Sequence, residues 1–307
     1  MNSDQQYILQ LCHCYYDPFL DCARQYAVLF KDTPYKVITV FMTGEPDPEV
    51  AKKACSDEVI FLGHNSKALA GAKLTVISEV KKIARQYPFS ACIAHRAKSA
   101  YVGLLATDLP IFSVRHSFGD FDRVGRRLMG NLFKSRLTLL AVSNAVRDEI
   151  RSHLPAWPED RIITLYNRID VDTARQDLLD RQEARHKLRL PAGALLVMLG
   201  DGKLLQPLKA LAAELNISDS VLLPGNVIEA RRYFRAFDAF ALTSDHEPFG
   251  MVLLEAMAAE LPIICSDCGG GPEVVGDTGE LFPFGDADAL AEGLIRVSQK
   301  QLTEADH

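Results

Sequence analysis

The chain has 307 residues, 48% of them hydrophobic and 24% charged, with a formal net charge of −6, which suits a globular protein of two domains with material for two cores. No secretory leader pattern opens it and no uninterrupted apolar run reaches about 18 residues, so an exported or membrane-spanning reading is excluded and a cytoplasmic protein is expected. Seven cysteines cannot all pair and their scatter shows no framework, which excludes a disulfide scaffold and points to a reducing compartment.

In chain order, short apolar runs alternate with helical stretches. Ile8 to Cys12 is followed by helix 18–31, Val37 to Phe41 by helix 65–86, and Ala91 to His95 by helix 98–106. Ile111 to Val114, Leu137 to Val142 with helix 144–154, and Ile162 to Leu165 continue the pattern. Strand-helix alternation argues for a parallel, doubly wound α/β sheet. Residues Asp170 to Arg189 are polar and charge-rich, so a domain boundary is placed there, giving domains 1–170 and 171–307. The second domain restarts with strand Leu195 to Leu199, the Gly200-Asp-Gly202 turn, helix 204–215, strand 221–223, helix 229–236 and strand 238–242. Helix 287–298 lies near its end.

Charge is unevenly spread. Residues 1–170 hold 22 Lys/Arg against 18 Asp/Glu, and the remainder 12 against 22. From Arg123 to Arg136 five cations meet no anion, while Val124, Leu128, Leu132 and Phe133 recur at helical spacing. Such a helix can lie on an anionic membrane surface or pack on the sheet with its basic face in water. No basic stripe interleaved with aromatics, zinc finger or RNA-recognition signature occurs, so no nucleic-acid partner is expected. Gly-x-Gly-x-x-Gly after the first strand, the P-loop pattern, a second His at zincin spacing and Gly-x-Ser-x-Gly are all absent, which removes dehydrogenase, P-loop, zincin and α/β-hydrolase chemistry. Cys265-x2-Cys268 has no second half to complete a zinc site, and no metal is expected.

The most informative stretch is Asp245-His-Glu-Pro-Phe-Gly-Met-Val-Leu-Leu-Glu-Ala-Met257. Glu255 is the one polar side chain between Pro248 and Ala259, so a buried helix with a paired or hydrogen-bonded carboxylate is expected. Glu247 and Glu255 would lie about 12 Å apart if joined by helix, a separation suited to the two ends of one elongated ligand. Beyond them come the apolar strand Leu261-Pro-Ile-Ile-Cys-Ser-Asp267, the turn Cys268-Gly-Gly-Gly-Pro-Glu273 and renewed apolar character at Val274. Strand, glycine turn and helix start make an anion-friendly corner.

From Pro224 to Val275 these residues resemble the sugar-nucleotide-dependent glycosyltransferases of family 4, in which a Glu-x7-Glu motif runs into a helix, a Pro-Ile/Val strand and a Gly-Gly turn before Pro-Glu-Val. The resemblance implies a GT-B fold: two Rossmann-like domains facing a cleft, a nucleotide-sugar donor on the second, a glycan or lipid-linked acceptor on the first, and neither metal nor cofactor. It implies that Glu247 lies by the donor sugar, that Glu255 accepts the ribose hydroxyls, and that main-chain groups of Phe249, Gly250 and Met251 reach sugar and diphosphate. Gly200 and Gly202 match the family's Gly-x-Gly turn, although a plain strand-to-helix turn reads the same. Gly270 belongs to the glycine corner, and His116, after the Ile111 to Val114 run, matches a histidine that relatives aim at the donor sugar. Relatives carry a further strand-helix unit with a diphosphate-binding Arg and Lys; here Arg189 to Ala194 runs straight into Leu195, so the second domain lacks that unit, with Lys203 as the nearby cation. Glu260 stands where a helix-ending glycine is usual. The expectation is a retaining hexosyltransferase of lipopolysaccharide core or surface polysaccharide synthesis, peripheral on the inner face of the cytoplasmic membrane. A catalytically impaired sugar-nucleotide-binding assembly partner and a GT-B nucleotide-sugar epimerase remain alternatives.

Overall fold

The computed structural model describes residues 5–16, 19–65, 67–191 and 196–305, with side chains to 297. The junction at 192–195, where a strand-helix unit is expected to be lacking, lies outside the described residues. Two compact units are present: 1–168 together with His246–Phe249, and 169–245 together with 250–307.

The first unit is built on one parallel sheet. Its strands are β1 (Gln6–Cys12), β2 (Tyr35–Thr43), β3 (Glu58–His64), β4 (Phe89–His95), β5 (Ile111–Arg115), β6 (Leu137–Ala141) and β7 (Ile162–Thr164), in the order β3-β2-β1-β4-β5-β6-β7. Strand order reverses at β1 and β4, so the carboxyl ends of those strands flank a topological switch point, where open α/β sheets bind ligands. Both faces of the central strands are covered, which is why they read as apolar runs: Leu9, Leu11, Val40 and Phe41 are fully buried. The polar intruders Gln10 and Thr39 bond each other, with Gln10 Nε2 donating to Thr39 Oγ1 at 2.9 Å and to Ala23 O at 3.0 Å.

The helices are α1 (Phe19–Val28), α2 (Pro48–Lys53), α3 (Leu74–Ala84), α4 (Arg96–Ala106), α5 (Val124–Leu132) and α6 (Asn144–His153). Strand β3 and helix α2 were not expected. Helix α2 owes its start to Asp47, whose Oδ1 accepts the Glu49 and Val50 N–H groups, with Pro48 in the first turn, where its lost N–H is harmless. The helix predicted over 65–86 begins only at Leu74.

The second unit opens with two short helices in the polar stretch read as a boundary, α7 (Val171–Asp177) and α8 (Arg181–Lys187), each capped by an aspartate, Asp170 and Asp180. Its strands form two parallel sheets rather than one: β8 (Leu196–Leu199) with β9 (Val221–Gly225), and β10 (Phe240–Leu242), β11 (Ile263–Ser266) and β12 (Glu280–Phe282) in that order. Among the described residues β8 and β10 each have a partner on one edge alone. Helices α9 (Leu205–Glu214), α10 (Met251–Ala258), α11 (Gly271–Val275) and α12 (Ala287–Ala305) complete it, and the helix predicted over 229–236 is a 3-10 segment, Ala230–Ala236. The core gathers Phe234, Leu253, Ala256, Ile263, Cys265 and Val275.

Candidate functional site

Between β10 and α10 the chain turns through the segment that carries Glu247. Its Oε1 accepts the Phe249 N–H at 3.2 Å, so the carboxylate closes its own turn and already engages one of the amides expected to meet a ligand. Phe249 is buried, its ring 6.0 Å from that of Tyr166, and His246 meets the Phe118 ring at 5.0 Å. These contacts, all within the first unit, hold the turn, and Phe118 lies two residues along the chain from His116. Gly250 follows at φ 95° and ψ 54°, a left-handed conformation that glycine adopts without strain. Helix α10 starts at Met251 with no side-chain cap, an end whose N–H groups favour an anion.

On α10, Leu253, Ala256 and Ala258 are buried while Glu255 is not: its side chain is 22% exposed, with Arg231 Nη1 3.9 Å from Oε1. The expected buried carboxylate is therefore half-buried, because α10 packs with one face on β11 and leaves the Glu255 face beside the 3-10 segment. Arg231 was missed by the sequence reading. It lies 24 residues upstream in Glu229-Ala-Arg-Arg, and no local pattern ties it to Glu255.

At the glycine corner Gly269, not Gly270, takes the left-handed conformation, at φ 63°. Gly270 is an αR residue, at φ −86°, before the five-residue α11. Gly271 is required sterically, since a Cβ there would lie 2.7 Å from Cys265 Sγ. That same packing, with Cys265 Sγ donating to Ser266 O at 3.3 Å, occupies one thiol of the Cys-x2-Cys pair. Gly200, at φ 147°, and Gly202 form an exposed turn between β8 and α9, with Asp201 Oδ1 accepting the Gly202 N–H at 2.7 Å. A Cβ on either glycine would meet nothing within 4 Å, and Lys203 beside them is exposed.

His116 directly follows the carboxyl end of β5, in a chain of buried and half-buried polar groups. Gln10 spends both amide protons on Ala23 and Thr39, so its Oε1 must accept from His95 Nε2, 3.4 Å away. His95 Nδ1 then accepts from His116 Nε2 at 3.2 Å, which leaves His116 Nδ1 facing Cys22 Sγ at 3.8 Å. The two imidazoles stack at 15°. Burial pushes the His116 pKa down to about 4, helped by Arg96, and burial with His116 as neighbour lowers that of His95. Both rings are neutral near pH 7. His116 was expected to turn a nitrogen to a ligand; here both nitrogens face protein partners, because the ends of two adjacent strands each carry a histidine.

The basic segment divides by role. Arg126 Nη1 donates to Asp120 Oδ1 at 2.6 Å and to Asp120 O at 2.9 Å, and Arg136 donates to the carbonyls of Leu104, Thr107 and Leu109. Both are structural. Asp120 also pairs with buried Arg115 at 3.2 Å. Among the described residues one group has metal-ligand geometry, Asp122, Glu149 and His153, none of them a motif residue. Its members already pair: His153 Nε2 is 3.1 Å from Asp122 Oδ1, and Nδ1 donates to Glu149 O at 2.9 Å.

A family model described as glycosyl transferases group 1 matches residues 146–307, and one described as Glycosyltransferase Family 4 matches residues 34–173. The lipopolysaccharide core biosynthesis glycosyltransferase LpsE of Rhizobium meliloti is 35% identical over 112 residues, 36% of this chain and 32% of its own. The N-acetylgalactosamine-N,N'-diacetylbacillosaminyl-diphospho-undecaprenol 4-alpha-N-acetylgalactosaminyltransferase of Campylobacter jejuni is 30% identical over 207 residues, 59% of this chain and 56% of its own. The chain thus spans between about a third and just over half the length of these curated relatives. The structure of Anabaena HepE in complex with UDP-glucose matches with a TM-score of 0.74 at 17% identity, covering 96% of this chain and 90% of that one. That likeness establishes the fold, the α/β GT-B class that the motif implied.

Proposed function

The chain belongs to the glycosyl transferases group 1 family, and from that premise we propose that it transfers a sugar from a nucleotide-sugar donor to a glycan or lipid-linked acceptor in lipopolysaccharide core or surface polysaccharide synthesis. The observation that carries this reading is the continuous motif element: Glu247 closing a turn onto Phe249, Gly250 in a left-handed conformation, and an α10 that starts without a side-chain cap and carries Glu255 half-buried. A departing diphosphate gathers negative charge as the glycosyl centre becomes oxocarbenium-like. Oriented amides at the start of α10 would stabilise that state more than the ground state, without a metal. Glu255 is the acceptor for two vicinal ribose hydroxyls, Glu247 lies by the donor sugar, and transfer retains anomeric configuration. The glycine turns at Gly200, Gly202 and Gly270 let main chain approach the donor closely. His116, neutral and bonded inward, shapes the sugar pocket rather than moving a proton. The work is done in the cytoplasm at the inner face of the membrane; no helix among the described residues is long and apolar enough to cross one, and the Campylobacter jejuni relative is named for a lipid-linked acceptor.

The test is release of free nucleoside diphosphate from a panel of nucleotide-sugars, with and without acceptor. Release that requires acceptor supports the transferase. Donor binding without release indicates an assembly partner, a second reading favoured by the division of the second unit's strands between two sheets among the described residues. Conversion of the donor without acceptor indicates an epimerase. Glu255→Ala should weaken donor binding by about 1.5–3 kcal/mol, and Glu247→Gln should lower turnover more than affinity. An equal loss of folding stability with unchanged donor response would assign Glu255 to packing with Arg231 instead.

A further inference from the structure

Gln10 interrupts the apolar run of β1 and is completely buried. A polar side chain in such a place costs stability unless its atoms are satisfied, and the way they are satisfied gives the buried chain a direction. Gln10, His95 and His116 lie on β1, at the end of β4 and just after β5, strands that are neighbours in the sheet. A backbone carbonyl has nothing to donate, so the 3.0 Å contact of Gln10 Nε2 with Ala23 O fixes which end of the amide is nitrogen. Gln10 Oε1 is then an acceptor, and His95 Nε2, 3.4 Å away, must carry the proton. In a neutral imidazole the other nitrogen accepts, so His95 Nδ1 takes the proton of His116 Nε2 at 3.2 Å. The reverse order would set Gln10 Oε1 and His95 Nε2 lone pair against lone pair in a buried place, and a second proton on either ring is opposed by burial. The Tyr26 ring meets His95 edge-on at 5.0 Å and keeps its plane.

At its outer end the chain leaves a lone pair. His116 Nδ1 has the longest contact of the series, 3.8 Å to Cys22 Sγ. Burial pushes the Cys22 thiol up to about 12, so the sulfur keeps its proton and is a weak donor. His116 itself is half-buried, whereas His95 is 5% exposed. A hydroxyl is a stronger donor than a thiol and would take Nδ1 from it. We infer that Gln10 and His95 are positioning residues that hold His116 in its Nε2–H form, so that Nδ1 offers the bound sugar an acceptor without a proton, and the sugar must bring a hydroxyl to it. A carboxylate or ketone at that carbon would put lone pair against lone pair, which selects against uronic acids and keto sugars there. This rests on the reading of His116 as a wall of the donor-sugar pocket, but the tautomer is measured without any donor, so the two can fail separately.

The deciding experiment is a two-bond 1H–15N correlation spectrum of the ligand-free, 15N-histidine-labelled full chain at pH 7, with His95→Gln and His116→Gln to assign the two rings. Both should be neutral, with Nε2 protonated and Nδ1 bare. Gln10→Met, which nearly keeps the volume and removes the carbonyl, should mix the tautomers of both rings, while Cys22→Ala, which leaves the relay whole, should not. A proton on His116 Nδ1 in the parent chain would overturn the inference whether or not Gln10→Met folds, and so would a Gln10→Met spectrum identical to the parent's. With the nucleotide-sugar that the release panel identifies, analogues bearing fluorine in place of one hydroxyl at a time should reveal one position where KM rises at least about tenfold in the parent chain and much less in Gln10→Met. An equal rise in both would give that hydroxyl to another partner and overturn the sugar preference. Should no donor be turned over, the transferase reading fails and the spectra still decide the tautomer.

Discussion

Strands β1 and β8 are similar in sequence and opposite in circumstance. Ile-Leu-Gln-Leu in β1 has a partner on each edge, and Leu9 and Leu11 are fully buried. Leu-Val-Met-Leu in β8 has one partner among the described residues, Leu196 is 43% exposed, and none of its four residues is buried. Helix α9, packed on β9, buries Ala212 while Leu211 and the flanking Leu204 and Leu215 stay exposed. A strand's own apolarity therefore does not settle its burial; the neighbours that cover its edges and faces do. The first unit supplies them across seven strands, whereas the second divides its strands between two sheets.

The largest test of that contrast is a pair of truncations. Phe41 is fully buried in β2, stacked on Phe61 with centroids 5.6 Å apart and met edge-on by Tyr15, so Phe41→Ala should destabilise by about 3–5 kcal/mol. Leu222 in β9 is half-buried, and Leu222→Ala should lose about 1 kcal/mol. Urea unfolding of the two variants measures the gap, and hydrogen exchange should show the amides of 196–225 opening before those of β1. Comparable losses would mean that β8 and β9 share a core as complete as that of the first sheet.

Acid should separate the units next. His116 titrates near 4 in the folded chain, and His95 and His13 are also lowered by burial, while in the unfolded chain each takes a proton near 6.5. The unfolded state then binds more protons below 6.5. The stability that these neutral rings contribute is fully present above 6.5 and falls as the pH drops, and the part due to His116 levels off near 4, where the folded ring protonates too. For His116 the slope approaches about 1.4 kcal/mol per pH unit between these limits, and the lowered His95 and His13 add to it with the same sign. Denaturation as a function of pH should show it, and His95→Gln should flatten it. An unchanged slope would mean that the pair is not held neutral.

What the sequence makes legible follows the same division. Strands covered on both faces, such as Leu137–Ala141, announce themselves as apolar runs, and the motif segment reads correctly because its turn and helix are local. Strand β3 escaped since it is an edge strand with a glutamate and a histidine at its ends and no fully buried residue. Helices α7 and α8 escaped because aspartate caps rather than an apolar stripe define them. Within the site, the pairing of Arg231 with Glu255 joins positions that have no sequence relation. The contact of His95 with His116 was recoverable: both terminate strands that a doubly wound order makes neighbours.

The smallest expected effect lies at the end of α10, where the family pattern asks for glycine and the chain has Glu260. The residue stands at φ 62°, with its N–H bonding Met257 O at 2.9 Å and the Leu261 N–H bonding Ala256 O at 3.1 Å, a glycine-type helix stop made by a residue with a Cβ. That conformation disfavours glutamate by roughly 1 kcal/mol. Opposing it, Glu260 meets Arg175 at 3.0 Å, but both side chains are largely in water, where such pairs contribute between nothing and about 1 kcal/mol. Arg175 also keeps a second acceptor, Ala258 O at 3.4 Å. Glu260→Gly should therefore stabilise by about 0.5 kcal/mol, and by nearer 1 kcal/mol in an Arg175→Ala background, where no ion pair is lost. Thermal melts of the four combinations read the difference directly. A loss of stability in both backgrounds would show that the second unit's looseness absorbs the strain, so that a left-handed glutamate is tolerated here as it would not be beside a seven-stranded sheet.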